Sequence, residues 1–345
     1  MGRPRAHRAI DATVMWRLGA AHYDTSSTAA SESVVPRQFW DDSAVRNPAA
    51  VSVAGSWQHR DGTELRLEAP SAGPGGHPGA GKLIATARLA PGAAPDAPMV
   101  LIVHGYAVPI PFWDALQARS LRRRGAHTML IDLPFHLRRR MPGRHSGDGF
   151  FGTDPARIRA TVRQSVEDAA ALVAWARREV TPSVAVLGVS LGGLVATLLA
   201  AEIELDAAVA VAPFCDAPAT LIERMPRNAR RRIGLSATSG GAWGADPAAA
   251  RALLDEALAP IVPRNLVPRT SPARITLVRP ELDMIVGPEP IAELAATWGT
   301  DLWDYPFGHI TVMNAPHIGS RIRDRLLERR RDHGHEPAAL VPAAV

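Results

Sequence analysis

Short apolar runs recur along the chain, and longer segments between them return an apolar residue every three or four positions. Met99–Val103 (MVLIV) is apolar throughout, the pattern of a strand buried on both faces of a parallel sheet. Segments 128–133, 183–187 and 206–211 read as further strands, and 275–278 and Asp301–Tyr305 resume the series. Between them, 111–124, 154–179, 191–201 and 288–298 carry helical periodicity, and 310–330 reads as a closing helix. In 154–179, Ile158, Val162, Val166, Ala169, Leu172, Val173 and Trp175 form one apolar face. Alternation of this kind predicts βαβ units and a mostly parallel sheet. Upstream, 56–67 and 82–89 read as two strands of a hairpin joined by the Gly/Pro-rich 69–81. The pattern predicts an α/β fold: a mostly parallel, eight-stranded sheet with helices on both faces.

The rhythm breaks in two places. Residues 1–50 read as a polar N-terminal extension with one short helix around 12–21. Residues 213–269 are rich in Pro, Arg and Ala, with helical pieces expected at 217–232 and 247–258. An insertion between two late core strands predicts a small helical cap over the site. The core then comprises 51–212 and 270–330, and 331–345 reads as a disordered tail.

Composition narrows the function only a little. An apolar fraction of 46% allows a sizeable core. The formal charge of +5 is scattered rather than gathered into a stripe, which argues against a nucleic-acid partner. Lys82 is the only lysine, so arginine carries almost all the basicity. Cys215 is the single cysteine, which excludes an internal disulfide and a four-thiolate metal site. The opening residues lack the apolar run of a secretory signal, and no stretch approaches the ~18 apolar residues of a membrane span. A cytoplasmic protein is the expectation.

The chemistry concentrates in VAVLGVSLGGLVA, residues 184–196, which joins a predicted strand to a predicted helix. Within it, Gly188-Val189-Ser190-Leu191-Gly192 has the spacing of a nucleophile elbow. A serine on so tight a turn needs small residues two before and two after it, and Gly188 and Gly192 meet that need. His104-Gly105-Tyr106 follows the strand Met99–Val103, where an acyl-transfer site keeps its second oxyanion donor. The expected donors are the N–H groups of Tyr106 and Leu191, with the His104 side chain bracing the loop. The general base is expected at His309, on the Gly-His step after Asp301–Tyr305. His317 and His333 fit less well, because they fall within or beyond the closing helix. Asp283, in the turn after 275–278, is the expected acid; Glu281 and Asp304 are its rivals. The order Ser190, Asp283, His309 is that of hydrolases built on a doubly wound sheet.

Elbow, His-Gly loop, post-strand Asp and late Gly-His step together resemble the α/β-hydrolase superfamily over residues 56–330, and within it the single-domain esterases. The resemblance implies a serine hydrolase that cleaves a small carboxylic ester through an acyl-enzyme, without a cofactor. The same residues would serve a thioester or a peptide amide, and the fold alone would serve a catalytically silent binding protein. The chain departs from many lipases in lacking an H-G-G-G loop, and from dehalogenases in having Ser instead of Asp as nucleophile.

Weaker signals are set aside. Residues 76–82 nearly spell a phosphate-binding loop, but Leu83 stands where Ser or Thr is required. Arg138, Arg139, Arg140 and Arg144, and Arg227, Arg230, Arg231 and Arg232, could hold an anionic group or merely face solvent; solvated surface is the preferred reading. His136, His145 and Asp148 lack the spacing of a metal-ligand set.

Overall fold

The computed structural model describes residues 3–18, 34–71, 79–224 and 246–328. Nine strands form one sheet among them: β1 Ser52–His59, β2 Gly62–Pro70, β3 Lys82–Leu89, β4 Met99–Val103, β5 His127–Asp132, β6 Val184–Val189, β7 Ala207–Val211, β8 Ile275–Pro280 and β9 Asp301–Tyr305. Their order is β1-β2-β3-β5-β4-β6-β7-β8-β9. From β5 to β9 every neighbour is parallel, and β1, β2 and β3 add an antiparallel edge.

The ninth strand corrects the expected eight. What read as one strand at 56–67 is two, β1 and β2, joined by a two-residue turn at Arg60-Asp61, with Gly62 opening β2 at φ 121°. Asp-Gly between β-rich segments is a hairpin signal in its own right.

The helices are α1 Arg3–Leu18, α2 Pro36–Asp41, α3 Phe112–Arg122, α4 Pro155–Glu179, α5 Leu191–Glu202, α6 Pro247–Ala257, α7 Glu289–Trp298 and α8 Ile318–Leu326. Alternation along the central strands assigns them to two layers. Met99, Leu101 and Val103 share a core with α4, α5 and α7, while Val100 and Ile102 share another with α3 and α8. Two-faced burial explains why β4 is apolar at every position. Helix α4 starts where Asp154 accepts from Ala156 N–H and Pro155 takes the first turn. Near its middle Asp168 holds Arg139 at 2.7 Å, both buried.

Three helical expectations change. The N-terminal helix runs over Arg3–Leu18, earlier than 12–21, and it is a polar helix with no apolar stripe to announce it. The segment 310–330 contains a short turn at Val312–Asn314 and then α8, because Pro316 cannot continue a helix from the preceding turn. The piece at 217–232 is a turn at Ala217–Ala219 continued by Thr220–Arg224, and its remainder, including Arg227, Arg230, Arg231 and Arg232, lies outside the described residues. Helix α6 packs beside α4, where Arg159 donates to Ala257 O. Among the described residues no helix is long and apolar enough to cross a membrane.

Candidate active site

Strand β6 ends at Val189 and α5 begins at Leu191, leaving Ser190 alone at the turn between them. Its backbone lies at φ 56°, ψ −115°, a strained region for a residue with a side chain. Neighbouring bonds hold it there: Ser190 N–H donates to Val211 O, and Ser190 O accepts from Leu194 N–H and Phe214 N–H. The flanking glycines are required by contact. A Cβ on Gly188 would lie 2.0 Å from Gly192 O, and one on Gly192 would lie 2.0 Å from Val103 O.

Two loops at the same edge of the sheet face this serine. The turn after β8 carries Asp283 and the turn after β9 carries His309, both buried. His309 Nε2 lies 2.9 Å from Ser190 Oγ, and His309 Nδ1 lies 2.7 Å from Asp283 Oδ2. Asp283 Oδ1 accepts from Ile285 N–H at 2.8 Å and Val286 N–H at 2.9 Å. Burial pushes the His309 pKa down, but the Asp283 carboxylate and its hydrogen bond, aided by Asp11, outweigh it and hold the imidazole above its ordinary value. Burial likewise opposes ionisation of Asp283; the His309 charge, its hydrogen bond and the two amide donors prevail, and the carboxyl stays below its usual range. An ionised Asp283 keeps the proton on Nδ1 and leaves the Nε2 lone pair for the serine proton.

The rival residues lie elsewhere. Glu281 is exposed, Asp304 pairs with Arg279 at 2.6 Å, and His317 is exposed at the start of α8. His333 lies outside the described residues.

Tyr106 and Leu191 both border the cavity at Ser190. Two buried histidines brace the loop that carries Tyr106. His104 Nδ1 meets Gly105 O at 2.7 Å, and its Nε2 accepts from Leu133 N–H at 3.1 Å. His136 repeats the device: Nδ1 meets Pro134 O at 2.8 Å, and Nε2 accepts from Ala107 N–H at 3.1 Å. Burial lowers both pKa values, so each ring stays neutral with its proton on Nδ1. Sequence pattern marked His136 only as a weak metal candidate; its bracing role needs the fold.

A cavity of about 530 Å³ opens over the serine, a size suited to a small organic ligand. Phe112, Trp113, Phe151 and Phe214 form much of its wall. Val14 and Met15 of α1 complete it, a contribution absent from the sequence reading. Its few polar groups include Asp114, whose carboxyl burial drives upward toward the neutral form. None of the loop arginines reaches the cavity. Arg138 pairs with Asp132, Arg139 with Asp168, and Arg140 and Arg144 are exposed. Burial raises the Cys215 thiol pKa, which leaves it a poor nucleophile.

The matching family model, the alpha/beta hydrolase family, spans residues 100–345. This chain belongs to the alpha/beta hydrolase family. Solved structures agree on the fold. Acetyl xylan esterase 1 from Thermoanaerobacterium sp. superposes with a TM-score of 0.64 at 14% identity, covering 91% of this chain and 98% of its own. An acetyl xylan esterase from Paenibacillus sp. gives 0.61 at 17% identity, with 90% and 98% covered. An esterase from Pyrococcus furiosus gives 0.50 at 17% identity, with 81% and 97% covered. No curated protein matches the sequence.

Proposed function

We propose that this hydrolase cleaves a carboxylic ester by a two-step serine mechanism in which Ser190, His309 and Asp283 act as one unit. The supporting observation is the unbroken chain from Ser190 Oγ through His309 to Asp283, with contacts of 2.9 and 2.7 Å at the base of an apolar cavity. His309 takes the Ser190 proton as Oγ bonds to the ester carbonyl carbon. The developing oxyanion is held by the N–H groups of Tyr106 and Leu191, a contribution of ~10²–10³ in rate per donor. Collapse of the intermediate breaks the ester C–O bond, and the imidazolium returns its proton to the departing alcohol. Water then attacks the acyl-enzyme by the same route, releasing the acid and restoring Ser190.

The wall indicates a substrate with an apolar chain or ring. Ile110, Phe112, Trp113 and Ile310 line the cavity while remaining 40–72% exposed, so apolar side chains reach from its interior to the surface. The solved relatives in the family are named as esterases, which favours an ester over a thioester or an amide.

Hydrolysis of p-nitrophenyl acetate, butyrate and octanoate by wild type and Ser190→Ala tests the reading. Turnover that vanishes in the variant, with preference for the longer chains, supports it. A wild type inert to all three esters and to a fluorophosphonate probe would sink it.

A further inference from the structure

We propose that Asp11, on the N-terminal helix α1, is a positioning residue that clamps the acid loop to the base loop and thereby sets the height of His309 over Ser190. The proposal rests on the serine-esterase reading above and deepens it.

Asp11 is fully buried. Its Oδ2 accepts from His309 N–H at 2.8 Å and from Met284 N–H at 3.2 Å, and its Oδ1 accepts from Ile310 N–H at 3.1 Å. One carboxylate therefore ties the backbone of the base itself to the residue directly after Asp283. A second tether lies one turn earlier in α1. His7 Nδ1 meets Thr311 Oγ1 at 2.9 Å, and that hydroxyl accepts from Gly308 N–H at 3.0 Å. The same helix presents Val14 and Met15 to the cavity, so the element that grips the loops also walls the substrate space.

Gly308 records this contact in the sequence. A Cβ there would lie 2.8 Å from Asp11 Oδ2 and 3.0 Å from its Cγ. Any side chain there would have to displace the carboxylate that packs against the backbone just before His309.

Three charge-assisted amide bonds are a strong anchor. They also keep a negative charge beside the base, and Asp11 is one of the groups that raises the His309 pKa. Among the described residues, the other titratable groups around this loop include Asp283 and Glu281 after β8, Tyr305 at the end of β9, Asp114 on α3 and His7 on α1. Asp11→Asn changes none of these groups.

The test compares wild type with Asp11→Asn on p-nitrophenyl butyrate across pH, alongside fluorophosphonate labelling of Ser190 and thermal melting. Misplacing a catalytic group by ~1 Å costs ~10²-fold, so kcat should fall about 10- to 100-fold, with KM changed less than about threefold. Loss of the negative charge lowers the His309 pKa, so the acid limb of kcat/KM should move to lower pH. A bystander that merely supports the helix would leave that limb in place. An Asp11→Asn enzyme with kcat within about twofold of wild type and an unmoved limb overturns the proposal. A wild type that neither hydrolyses nor labels overturns the esterase reading instead.

If Asp11→Asn melts below the assay temperature, Asp11→Glu replaces it, keeping the charge while displacing the oxygens. A reduced kcat with an unmoved limb then supports the clamp, and wild-type kcat overturns it. Failure of both variants to fold would make Asp11 a folding residue and overturn it as well.

Discussion

The two halves of the site are held in different ways. On the nucleophile side, strand β6, Ser190 and helix α5 form a closed local unit. Gly188 meets Gly192, Gly192 meets Val103 O, and the Ser190 amide ends on Val211 O. At the other half, Asp283 and His309 stand on two separate loops that meet through the Leu282 N–H to Phe307 O bond, and Asp11, 298 residues before His309, adds a carboxylate that bonds to both. The elbow is therefore held by backbone sterics, whereas the loops are held by hydrogen bonds, some of them between their own backbones and others from the side chains of a distant helix. Steric constraints of the first kind tolerate no substitution; hydrogen bonds of the second kind can be loosened by degrees.

The largest expected effect removes the shared centre. Ser190→Ala should lower kcat by about 10⁶-fold and abolish fluorophosphonate labelling while leaving the melting temperature nearly unchanged, since the group acts as a unit with its base. Asp283→Asn should follow at about 10⁴-fold, because an amide favours the wrong imidazole tautomer. The same variant carries a pH signature. His309 must be neutral to accept the serine proton, and its raised pKa sets the acid limb of wild-type kcat/KM above the ordinary imidazole value of about 6.5. Without the Asp283 charge that limb should move to lower pH; a limb that stays put would show that another group governs it.

A pair of glycine variants separates the two halves directly. Gly192→Ala drives a Cβ to 2.0 Å from backbone, so a destabilisation above about 4 kcal/mol is expected in denaturant melts, with activity lost. Gly308→Ala meets the end of a side chain at 2.8 Å, so about 1–2 kcal/mol is expected, with a kcat loss that exceeds the fall in stability. Equal stability losses in the two variants would erase the distinction between the two halves of the site. The smallest expected effect belongs to the cavity wall on α1: Met15→Ala should reduce kcat/KM for the octanoate ester by about tenfold relative to the acetate.

Much of this was legible from the chain, and the reasons differ from element to element. β4 and β6 are apolar at nearly every position because both faces are buried, and that pattern needs no neighbour to be read. The elbow was legible because its requirements are local. His309 is preferred to His317, and Asp283 to Asp304, by their place in loops after core strands, and Asp283 to Glu281 by its Asp-x-x-Val step before a helix. Counting strands failed at Arg60-Asp61, where one apparent strand hides a tight turn between two. Helix α1 was read too late in the chain and too short, because it is polar and its partners are loop amides and cavity space rather than an apolar layer. His136 gave no usable signal, since a single histidine in an Arg-rich loop does not announce that it will brace Ala107.

Sequence alone determined the parallel core, the strand-turn-helix at Ser190 and the choice of Ser190, His309 and Asp283 as candidates, because hydrophobic period, glycine sterics and strand-to-loop placement act over a few residues at a time. Only the tertiary structure decided how the base is held and what walls the cavity. Those outcomes depend on Asp11, His7, Val14 and Met15 meeting residues nearly three hundred positions away, and a hydrogen bond between distant segments leaves no periodicity in either of them.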